Sequence, residues 1–182
     1  IFFSNPLNAS SQVKNIRKIL SPHTQKTICH LVASWEHYRP SLYDSQALWT
    51  GKMACGISAS ITSKFLEKKL DKKPTRIIVE NTMSRCDHSF LIVNVDEEGV
   101  LVDPTFRQFK LEDQIENQRE IFLIKDVKEI NTWLKAQRNP HLVEKYWLCL
   151  EPGRYNFSEN QYYRAYLPNQ NRLDQILDSV AR

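Results

Sequence analysis

Apolar positions in the first part of the chain recur at helical spacing. Val13, Ile16, Ile19 and Leu20 fall on one side of a helix, and Ser21-Pro22 stops that run. A second helix is expected over 24–37, ending before Arg39-Pro40. Residues 41–53 show no period and predict an irregular connection containing Trp49 and Gly51. Cys55 then opens a third helix. Ile57, Ile61, Phe65 or Leu66, and Leu70 share one side, with Lys64, Glu67, Lys68 and Lys69 mostly opposite.

Past residue 74 the spacing shortens to that of strands. Residues 75–80 (TRIIVE) predict one strand, and 89–95 (SFLIVNV) predict another, apolar and β-branched enough to be central. Asp96-Glu97-Glu98-Gly99 predicts the turn of a hairpin, and 100–102 the returning strand, ended by Asp103-Pro104. A short strand is expected over 121–124. Residues 126–137 predict an amphipathic helix with Asp126 near its start and Val127, Ile130, Trp133 and Leu134 on one face. Residues 145–150 (KYWLCL) predict a last strand, and 172–180 a C-terminal helix. Helices first and strands later predict an α+β fold, a single domain over 1–182 with an N-terminal helical lobe packed on an antiparallel sheet.

Composition narrows the class. Of the 182 residues 41% are hydrophobic and 25% charged, a globular rather than a disordered balance. Only four are Gly, which argues against an all-β fold full of tight turns. The net charge is +4, but Lys and Arg are interspersed with Asp and Glu, so nucleic acid is not an expected partner. No stretch approaches the roughly 20 apolar residues of a membrane span, and no signal-peptide pattern opens the chain. The first residue is Ile, which leads us to expect a fragment of a longer precursor. Cys29, Cys55, Cys86 and Cys149 form no CxxC pair, so neither zinc nor a thioredoxin-like site is expected. Two disulfides are formally possible; buried, reduced thiols are the simpler expectation.

Three chemically capable residues fall at element boundaries: Cys55 at a helix start, His88 at a strand start, Asp103 at the end of the paired strand. A thiol at a helix N-terminus meets the positive end of the macrodipole, which favours the thiolate, the reactive form. The amides there can also hold an oxyanion. A neighbouring histidine can take the thiol proton and later supply one to a leaving group, and a carboxylate can fix its tautomer. His88 and Asp103 lie on either side of the hairpin turn, so folding there should make them cross-strand neighbours, with a one-residue slip sending one of them to the opposite face.

These segments resemble the papain-like and transglutaminase-like superfamily. The matching pieces are GKMACGISASI around Cys55, DHSFLIVNV around His88 and GVLVDPTFRQF around Asp103, within about residues 45–110. Asp-Pro-Thr followed by an aromatic residue is similar to segments of bacterial transglutaminase-like proteins and toxin domains. The resemblance implies a papain-like catalytic domain, a Cys55–His88–Asp103 triad and a thioester on the cysteine. Its bacterial members imply a protein-glutamine deamidase, a secreted effector acting on a protein in the host cytoplasm; otherwise the chain is cytoplasmic. A cysteine protease, a transglutaminase and a non-catalytic protein-binding domain are the alternatives. No cofactor or metal is implied. The papain pattern places an oxyanion-stabilising glutamine upstream of the cysteine. Gln46 is the candidate here, at a wider spacing, and the backbone amides near Cys55 are its substitute.

Each residue also has a plainer role. Cys55 alone reads as a small buried side chain, His88 as a satisfied histidine at a strand end, and Asp103 as a turn former. Cys86 could pair with Cys55 or join His88 as a ligand, and Asp87 competes with Asp103 but should face the other side of the strand. Trp49 fits a substrate groove and a structural contact equally. Thr105 and Gln108 either line the site or cap local backbone. His23, His30, His37 and His141 read as surface or core residues. The Tyr- and Arg-rich stretch 155–172 is a recognition surface or a polar loop.

Overall fold

The computed structural model describes residues 10–33, 54–79, 88–95, 98–109, 120–137, 142, 145 and 146. Helix α1 (Ser11–Ile19) begins at Ser10, whose Oγ accepts the Val13 N–H at 3.3 Å. Helix α2 (Pro22–Ala33) starts earlier than expected. Pro22 separates two helices by opening the second: it occupies the first helical position, where its missing N–H is no loss. Ser21 caps the same turn by accepting the Thr24 N–H at 3.2 Å. The expected continuation over 34–37 lies outside the described residues.

Helix α3 (Cys55–Leu70) is buried on every side from Cys55 through Thr62. Gly56 and the β-branched Ile57, Ile61 and Thr62 are weak helix formers, each costing less than about 1 kcal/mol relative to Ala. Burying Ile57, Ile61, Phe65 and Leu66 returns roughly 1.5–3 kcal/mol per side chain, so packing decides the conformation. The helix ends at Asp71 in the left-handed region (φ 51°), whose N–H donates to the Glu67 carbonyl at 3.0 Å.

Strands β1 (Thr75–Val79), β2 (His88–Val95), β3 (Glu98–Asp103) and β4 (Leu123–Asp126) form an antiparallel meander in that order. Glu98 and Gly99, expected in the turn, belong to β3: Val95 pairs with Glu98 and Asn94 with Gly99. Strand β4 lies two residues beyond the expected 121–124. Asp126 closes it and, as expected, also starts the next helix: its Oδ1 caps α4 (Val127–Gln137) by accepting the Lys128 N–H at 2.9 Å. A Cβ on Gly99 would stand 3.0 Å from Val127 Cγ2, so glycine lets α4 approach the hairpin. A 3-10 turn (Phe106–Phe109) follows β3.

The sheet separates two apolar layers. Leu91, Val93, Val100, Val102 and Ile124 pack with α1, α2 and α3. Ile77, Val79, Phe90, Ile92, Leu101 and Leu123 pack with α4, Phe106, Leu142 and Tyr146. Alternation along each strand sends successive side chains to opposite layers. Gln25 ties the helical layer to the sheet: its Nε2 donates to the Leu20 carbonyl at 2.6 Å and its Oε1 accepts the Phe122 N–H at 3.0 Å. Arg17 Nη2 donates to the Ile124 carbonyl at 3.0 Å. Lys145 and Tyr146 are helical, not part of the strand expected over 145–150. The helix expected over 172–180 lies outside the described residues. The architecture is α+β, with helices against a four-stranded antiparallel sheet.

Candidate active site

Parity along the hairpin puts His88 and Asp103 on one face. The β2–β3 pairing opposes Leu91 to Val102, and one further step opposes Phe90 to Asp103. His88 is two residues from Phe90 and points the same way, so Asp103 is its diagonal rather than its directly opposed neighbour. Such a diagonal spans roughly 7–8 Å between Cα atoms, a gap that long side chains can bridge. The imidazole bridges it: His88 Nε2 lies 2.6 Å from Asp103 Oδ2, with both side chains fully buried.

Asp103 is held from four directions. Its Oδ1 accepts the Thr105 N–H at 2.7 Å and the Thr105 hydroxyl at 3.1 Å. Its Oδ2 accepts from His88 and from the Tyr146 hydroxyl. An ionised carboxylate is acceptor-only, the form that four donors suit. The first two donors follow from the chain itself, because Asp-Pro-Thr turns back on the carboxylate. Tyr146 comes from 43 residues downstream.

The other ring nitrogen meets Gln108. Gln108 Nε2 sits 3.1 Å from His88 Nδ1 and donates to Thr105 Oγ1, also at 3.1 Å. The Cys55 side chain hydrogen-bonds His88. Phe109 stands edge-on to the imidazole with centroids 4.6 Å apart, and Phe90 and Tyr146 lie at 5.8 and 5.9 Å. Burial among these rings pushes the imidazole pKa down. The Asp103 charge, its hydrogen bond and Cys55 outweigh burial and hold His88 at about 9, above the ordinary 6.5.

Cys55 is the first residue of α3, and Ala54 before it contributes no side-chain cap. The N-cap position therefore supplies no side-chain acceptor to the first-turn amides. At Cys29, the other described cysteine, burial pushes the thiol up to about 12, against the opposing influence of Arg107 and its own backbone N–H, so it stays protonated. Arg107 is pulled below its usual range by burial, opposed by Cys29 and Glu120. It is anchored through Nε and Nη2 to the Glu120 carbonyl at 2.8 and 2.6 Å.

The chain thus brings together Cys55, His88 and Asp103. Gln46, Trp49, Cys86 and Asp87 lie outside the described residues, as do His37, His141 and 155–172. His23 and His30 are exposed on α2. Tyr146 has no local signal in the sequence. Gln108 has one: three residues after Thr105, it returns to the same side of a 3-10 turn. No family model, curated protein or solved structure matches the chain. No described helix is long and apolar enough to cross a membrane.

Proposed function

We propose that this chain is a cysteine-dependent acyl-transfer enzyme of papain-like or transglutaminase-like type, and that its reaction is deamidation of glutamine in a protein. The supporting observation is the continuous run of bonds from the Asp103 carboxylate through His88 to the Cys55 thiol. His88, held at about 9, carries the thiol proton as an imidazolium, and the Cys55 thiolate attacks the γ-carboxamide carbon. First-turn amides of α3 hold the oxyanion. The imidazolium returns its proton to the departing nitrogen, which leaves as ammonia, and a thioester remains on Cys55. His88 then takes a proton from water, hydroxide character develops at the thioester carbon, and the carboxylic acid departs as the thiol is restored. Asp103 keeps Nε2 protonated, so when the imidazolium gives up a proton to the leaving group the lone pair appears at Nδ1, ready for the attacking water. The Asp-Pro-Thr resemblance to bacterial effector and toxin domains favours a host protein as substrate.

The test uses a glutamine-containing peptide, ammonia release and intact mass. Deamidation adds about 1 Da per site without chain cleavage, and hydroxylamine in place of water should yield the hydroxamate. Cys55→Ala should lower the rate by at least about 10³-fold while leaving the fold unchanged. Peptide fragments would transfer the proposal to proteolysis, and an amine-linked product to transglutamination. Turnover undiminished in Cys55→Ala would end it.

A further inference from the structure

The imidazole and the carboxylate are joined twice. One link is direct, from His88 Nε2 to Asp103 Oδ2. The other runs from His88 Nδ1 through Gln108 Nε2 and Thr105 Oγ1 to Asp103 Oδ1, in steps of 3.1 Å each. The directions around this ring follow from the donor inventory. A Gln amide nitrogen only donates, and its two protons are divided between Thr105 Oγ1 and His88 Nδ1. The Thr105 hydroxyl accepts one of these and donates its own proton to Asp103 Oδ1. Nδ1 must accept, so the single ring proton sits on Nε2 and points at Asp103. Every group in the ring is satisfied when His88 is neutral.

Protonation of Nδ1 breaks this arrangement. An Nδ1–H would face the Gln108 N–H donor to donor, and the amide would have to swing away from the ring. Gln108 therefore competes with a second ring proton. We infer that Gln108 is a positioning residue that favours the neutral, Nε2–H form of His88 and is displaced from Nδ1 when the ring takes up a second proton. This rests on the acyl-transfer reading of the site for its purpose, but the bond itself acts whether or not turnover follows. Among the described residues, the titratable groups facing His88 are Asp103 from β3, Cys55 from α3 and Tyr146. All three are retained in the variants below, so a difference between variants isolates residue 108.

The experiment is an NMR titration of the His88 imidazole in the full chain, for the native protein, Gln108→Leu and Gln108→Glu. Leucine removes the donor, and glutamate replaces it with an acceptor that welcomes an Nδ1–H. Losing one neutral hydrogen bond should raise the His88 midpoint by about half a unit to one unit in Gln108→Leu. Gln108→Glu should raise it further. Gln108 is half-buried on a short turn, and a far-UV spectrum checks that each variant is folded. A residue that merely filled space would move neither midpoint or both alike. Unmoved midpoints overturn the inference, and so does a fall in Gln108→Leu, which would mean that the amide oxygen faces the ring. The titration needs no substrate, so an inactive protein with ordered midpoints would sink the proposed function and leave the role of Gln108 standing.

Discussion

Replacing Asp103 by Asn tests the central link with an almost unchanged shape. The Thr105 N–H and hydroxyl both donate to Oδ1, so the Asn oxygen should stay there and its NH2 should take the place of Oδ2. His88 Nε2 would then face a donor and must become an acceptor, which moves the ring proton to Nδ1. That tautomer cannot accept the Cys55 proton, and turnover should fall on the order of 10³–10⁴-fold, as when serine-protease triads lose the same charge. A second consequence needs no substrate. His88 rises from 6.5 to about 9 because Asp103, with help from Cys55, overrides burial. At ~1.4 kcal/mol per unit, that rise is worth about 3 kcal/mol of folding free energy. The folded pKa lies above the unfolded one, so this contribution is complete below pH 6.5 and fades as pH climbs through about 9. In Asp103→Asn burial acts with less opposition, and the midpoint should drop toward or below 6.5. Urea melts at pH 5.5 and at pH 10 should show the native protein's advantage shrinking by about 3 kcal/mol between the two. Losses at Tyr146 and Thr105 appear at both pH values and cancel in that difference. An advantage of equal size at both would refute the assigned coupling of His88 to Asp103.

Two further outcomes test the supports of the site. Tyr146→Phe keeps the ring among Phe90, His88 and Trp133 but removes one donor to Asp103 Oδ2, so it should cost about 1–2 kcal/mol in denaturant melts and lower the His88-dependent rate. Gln25→Leu leaves the Leu20 carbonyl and the buried Phe122 N–H without that bridge, and thermal or urea melts should show a loss of about 2–4 kcal/mol with Cys55 reactivity retained.

The strongest legible features were those that depend on local period. Helix α3 starts at Cys55 as its apolar spacing predicts, with the irregular connection expected over 41–53 outside the described residues, and β2 and β3 follow from β-branched runs. That His88 and Asp103 share a face is a matter of parity, available from sequence once the hairpin is assumed. The diagonal offset is not, because it depends on where pairing resumes, and it resumes at Glu98. Pro22 misleads because a proline ends one helix and begins another with equal ease, and the deciding feature is the Ser21 cap. Residues 121–124 form an unbroken apolar run, and such a run has no alternation to mark the start of β4. Tyr146 looks like a strand residue by type. Its helical backbone and its bond to Asp103 arise from tertiary packing that no window of neighbouring residues encodes.

The three candidate groups come from opposite sides of the sheet. Cys55 opens a helix seated on one side of the sheet, while the His88 and Asp103 side chains share a face with Phe90 and Tyr146 on the other. Sulfur and imidazole therefore meet only as accurately as the two slabs are stacked. A small slippage between them, from a trimmed aliphatic far from either group, would separate donor from acceptor while the chain still melts as one unit. Such a molecule would part Cys55 from His88 well before it lost its shape.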